Sequence, residues 1–168
     1  MDVLGLPIPD AGPLFRIALA LHIAAGLTCA VAGAVAALSR KGGRRRLRFG
    51  RIYIWGLGVV FVTMTAMSMI RWRENAHLFA IGCLSFASGL TGYLGREKRL
   101  TVHIVGMGVS YIGLLTAFYV DNGPHLPLWD RLPPIAFWLL PSLIGVPLIA
   151  RSVNRRRRRP AGPEPRRA

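Results

Sequence analysis

Apolar positions along the chain run in five long blocks instead of alternating with polar ones. The blocks are Gly12–Leu38, Ile52–Ile70, Ala76–Leu94, Leu100–Val120 and Pro134–Ala150. Each approaches the ~20 residues that carry a helix across a bilayer. In hydrocarbon an isolated segment must satisfy its own backbone, so each block predicts a helix. The expected fold is an all-α integral membrane bundle of five transmembrane helices over residues 12–150. Residues 1–11 precede the first span. Residues 151–168 form an Arg- and Pro-rich tail with almost nothing apolar, expected to be disordered.

Composition agrees with the blocks. A chain that is 52% hydrophobic with a mean hydropathy of +0.41 is too apolar for an ordinary soluble domain. The net charge of +15 would by itself point to nucleic acid, but the charge sits beside the spans, so no nucleic-acid partner is expected. Assigned alternately to the two sides, all Lys and Arg except Arg16, Arg71, Arg73 and Arg131 fall on one side. The positive-inside rule makes that side cytoplasmic, with the N-terminus outside and the C-terminus inside. Anionic headgroups are the partner expected for Arg44, Arg45, Arg46, Arg155, Arg156 and Arg157. Asp2 and Asp10, with no basic n-region, argue against a cleavable signal peptide. Trp55, Trp72, Trp129 and Trp138, with Tyr53, Tyr93 and Tyr119, fall near block ends, where such rings anchor at the interface.

Within the blocks, small residues recur every three or four positions: Gly26, Ala30, Ala34 and Ala37; Gly82, Ser85, Gly89 and Gly92; Gly106, Ser110 and Gly113. Such flanks let helices approach closely, within the bundle or in a homodimer or with a partner membrane protein. Met64, Met67 and Met69 do not share one helical face, which favours packing over a soft-metal site. Cys29 and Cys83 lie too far apart in depth for a disulfide and are expected in the core. Pro141 and Pro147 should kink or partly break the fifth helix.

Chemistry concentrates on histidines. His22 lies inside the first span, where an ionisable group is a functional candidate. With His77 it is a candidate pair of axial ligands for haem b, although the two differ in estimated depth by ~10 Å at helical rise. The alternative for His22 is a neutral hydrogen bond to a Ser, a Thr or a carbonyl. In the outer loop, Asp121 and His125, close to His77 and Glu74, have the chemistry of a divalent-metal site or proton relay. Asp-Asn-Gly-Pro equally reads as a turn, and Asp130–Arg131 as a cap. No catalytic motif appears, so a stand-alone enzyme is not expected.

The His22-bearing helix, KGGRRRLRFGRIYIW over Lys41–Trp55 and HIVGMGVSYIGLLTAFYVDNG over His103–Gly123 together resemble the bacterial integral-membrane family catalogued as domain of unknown function 2306. The resemblance covers most of Leu21–Ala150. Family members commonly carry a histidine four residues before the glycine opening the second span; here Gly50 corresponds and Arg46 stands in the histidine's place. The resemblance implies a protein of the bacterial cytoplasmic membrane and supplies no reaction. The leading expectation is a structural or partner-binding membrane subunit. A haem- or metal-binding redox protein and a small-solute or proton-coupled transporter are the alternatives.

Overall fold

The structure, a computed structural model, describes residues 2–3, 6–7, 12–40, 42–126 and 131–157. It is all-α in architecture. Five helices, α1 (Gly12–Leu38), α2 (Arg44–Ile70), α3 (Trp72–Leu94), α4 (Leu100–Asn122) and α5 (Pro134–Arg157), follow one another antiparallel. All five are long and apolar enough to cross a membrane. A two-residue antiparallel pairing, Asp2–Val3 with Leu6–Pro7, precedes α1.

The helices overrun the apolar blocks. α2 starts at Arg44 and α5 runs to Arg157, because basic side chains at a span end lay their stems along apolar surface while the backbone keeps its ladder. Three expectations change as a result. Residues 151–157 continue α5 instead of opening the tail, whose remainder lies outside the described residues. Tyr53, expected at the interface, sits well inside α2 and is 1% exposed. Asp121, expected in a loop, lies on the last turn of α4, followed by a 3-10 turn over Gly123–His125. α5 is unbroken through both prolines.

Two hairpins make the core. On α1, Phe15, Ala18, His22, Ala25, Cys29 and Ala32 alternate three- and four-residue steps, the spacing of a knobs-into-holes seam. Across it, Cys29 Sγ faces Gly56 and reaches Tyr53 O at 3.5 Å, and Met67 packs on Phe15 and Ala18. In the other hairpin the small residues of α3 and α4 face each other. A Cβ on Gly92 would lie 2.7 Å from Met107 N, and one on Gly106 2.6 Å from Ser88 O. The stripes on these two helices are therefore spent inside the bundle. α2 packs on α3, and the Tyr111 ring of α4 reaches Gly33 of α1; α5 packs on α4. Met64 and Met67 are buried while Met69 is 80% exposed, as the face argument requires, and Cys29 is fully buried. Leu14, Val31, Leu143 and Leu148 point outward, where lipid tails would meet them.

Candidate functional site

The site is built at the end of the bundle where α1 and α5 begin and α2 and α4 finish, opposite the arginine-rich end. His22 belongs to the α1 seam, and Thr63 lies opposite it on α2, 3.0 Å from Nδ1. Thr63 Oγ1 has one proton, directed to the Val59 carbonyl at 2.8 Å or that of Val60 at 3.1 Å. With that proton on a carbonyl, Oγ1 is left to accept Nδ1–H of the matching His22 tautomer. Thr is one of the three partner types, with Ser and a backbone carbonyl, given above as the alternative for His22.

Register brings the other groups to this level. Ser85 meets Gly113 and Gly92 meets Gly106; the same step outward along both helices sets His77 opposite Asp121. Gly33 meets Tyr111, and the same step outward sets His22 beside the last turn of α4. Asp121 accordingly lies within electrostatic range of His22, His77 and His125. Asp121 reaches this level because α4 continues past Val120 to Asn122.

The surroundings limit what this cluster can do. His77 is exposed, its ring 6.2 Å from that of Trp138 on α5, whereas His22 is held in the α1–α2 seam. The two imidazoles serve different interfaces and do not clamp a common space. Among the described residues, no three His, Cys, Asp or Glu side chains converge to hold a metal ion, so His77, Asp121 and His125 are neighbours without forming a ligand set. Glu74 is ion-paired with Arg71 at 3.2 Å. Ser68 Oγ, buried on α2 near this end, is the one buried side-chain N or O atom without a partner among the described residues. Asp130 lies outside the described residues.

Below the cluster a polar network, invisible in the sequence pattern, crosses the bundle. Tyr53 OH and Ser110 Oγ are 2.8 Å apart, Ser85 Oγ donates to Ser110 O at 2.6 Å, and Tyr111 OH donates to Ala30 O at 2.8 Å. Four helices are joined by three bonds in a low-dielectric interior, where leaving such groups unpaired is costly. His103 donates Nδ1–H to Gly92 O at 2.9 Å, tying α4 to α3 near the basic end, far from the cluster. At that end Arg44 and Arg45 are exposed, Arg45 lying over the Phe49 ring at 5.8 Å; Arg155 and Arg156 are exposed on the last turns of α5. The side chain of Arg157 lies outside the described residues.

No family model, no curated protein and no solved structure matches the chain.

Proposed function

We propose that the chain is a multi-pass protein of the bacterial cytoplasmic membrane, N-terminus outside and C-terminus inside, whose Asp121–histidine cluster handles protons in a proton-coupled transport process at the outer face. The observation that carries this reading is the register that sets His77 opposite Asp121 and His22 beside the last turn of α4, where Asp121 lies. A carboxylate and imidazoles at the end of a bundle are the side-chain types that accept and release protons on a membrane pathway. The arginine asymmetry supports the orientation, and membership of the family called domain of unknown function 2306 rests on the motif residues alone. A partner-binding subunit has no comparable support, since lipid tails cover the exposed faces of α1 and α5 as well as a partner would. Haem binding by His22 and His77 would require the two rings to share one space, and they face different neighbours.

The test is reconstitution in liposomes with an entrapped pH dye and an imposed potassium diffusion potential. Proton entry should be abolished by Asp121→Asn and largely retained by Asp121→Glu. Equal flux in wild type and Asp121→Asn, or a Soret band in the purified protein that disappears in His22→Ala, would overturn the reading.

A further inference from the structure

On the basic half of the molecule, α4 presents a ridge of Val105 and Val109 with an open groove on each side. One groove, about 470 Å³, runs between α3 and α4 over Ala87 and Thr91 and reaches Thr101. The other, about 410 Å³, runs between α4 and α5 over Ile149 and Val153 and reaches Asn154. Val105 and Val109 line both. The grooves are therefore side by side, each extending ~12 Å inward at the helical rise. Both have almost wholly apolar floors and a polar residue at the basic end.

Charge surrounds those polar mouths. Lys98 and Arg99 stand at the start of α4, which has no side-chain cap, and Arg151 and Arg155 stand on the last turns of α5. Among the described residues the ion pairs are Arg71–Glu74 and Arg96–Glu97, so none of these four cations is neutralised by a carboxylate. The uncapped N–H groups of α4 add a further attraction for an anion.

We infer that an anionic diacyl phospholipid sits astride α4, one acyl chain in each groove and its phosphate headgroup on Lys98, Arg99, Arg151 and Arg155. Two parallel apolar troughs split by one ridge suit a molecule with two chains joined at a charged end. A transmembrane helix of a partner is too wide for either trough and brings no anion for the four cations. The inference rests on the membrane reading and is independent of the proton chemistry at the other end. It differs from diffuse attraction of headgroups to the whole basic end in naming where the lipid is held.

The experiment is native mass spectrometry of the full chain released from detergent, titrated with phosphatidylglycerol or with phosphatidylcholine of the same acyl chains. Carbonate extraction of the source membranes is run first, so failure of the membrane reading shows separately. One phosphatidylglycerol should be retained in preference to phosphatidylcholine. Arg99→Gln with Arg151→Gln, both at exposed positions, should cut that preference by about tenfold or more. Ala87→Phe with Ala150→Phe, also exposed, fills both troughs and should abolish retention of either lipid. Arg44→Gln with Arg45→Gln, on the other hairpin, should leave the preference unchanged. If the Arg44 and Arg45 pair acts as strongly as the Arg99 and Arg151 pair, if the filled grooves still hold lipid, or if a dimer of the chain appears in place of the lipid adduct, the inference is wrong.

Discussion

Gly92→Ala probes the register that puts Asp121 opposite His77. The added Cβ would stand 2.7 Å from Met107 N and 3.0 Å from Gly106 C. Both are backbone atoms in a helix and cannot rotate aside. Reaching ordinary contact near 3.4 Å requires α3 and α4 to part by about 0.7 Å. Overpacking of this kind costs about 1–3 kcal/mol. The bonds from Ser85 to Ser110 O at 2.6 Å and from His103 to Gly92 O at 2.9 Å cross the same seam, and weakening each adds ~0.6 kcal/mol. For a chain of this size each kcal/mol moves the midpoint by ~2–4 °C, so a total of about 2–4 kcal/mol should lower it by roughly 4–17 °C. Thermal unfolding in detergent, followed by tryptophan fluorescence, is the assay. Gly26→Ala is the control, since nothing lies within 4 Å of its added Cβ, and it should leave the midpoint within about 2 °C. A Gly92→Ala protein as stable as Gly26→Ala would refute the α3–α4 seam and the register drawn from it.

Other substitutions test the remaining interior. Tyr53→Phe should destabilise by about 1–2 kcal/mol, and combining it with Ser110→Ala should cost less than the sum, since the second change removes the group the first leaves unpaired; a thermal double-mutant cycle measures this. Met64→Ala should cost about 2–5 kcal/mol and Met69→Ala less than about 0.5, because the first thioether is packed on Gly82 and the second points outward. Cys83, half-buried, should react with maleimide in native detergent micelles well before fully buried Cys29, and peptide mass mapping of the labelled protein separates the two.

The helix count was legible because spanning a bilayer demands long apolar blocks with cations at their ends. The same signal hid the true helix ends: a backbone inside the interface stays helical after hydropathy falls, so α2 begins at Arg44 and α4 reaches Asn122. That displacement moved Tyr53 into the core and Asp121 onto a helix. The small-residue stripes were visible, but which stripe met which depended on helix neighbours, a long-range property. Once Ser85 was seen against Gly113, the place of Asp121 beside His77 followed. The Thr63 partner of His22 was foreseen as a type because hydrocarbon offers a buried imidazole few other choices. The Tyr53–Ser110 bond joins residues far apart in sequence and carried no local sign.

The central claim is that Asp121 has His22 and His77 as neighbours at the arginine-poor end. Paired cysteines introduced into a background with Cys29→Ala and Cys83→Ala, followed by a short bis-maleimide, measure it directly. His77→Cys with Asp121→Cys and His22→Cys with Asp121→Cys should both cross-link rapidly, while His103→Cys with Asp121→Cys, at opposite ends of α4, should not. Failure of both expected pairs in a protein that keeps its wild-type unfolding midpoint would contradict the cluster and the function drawn from it.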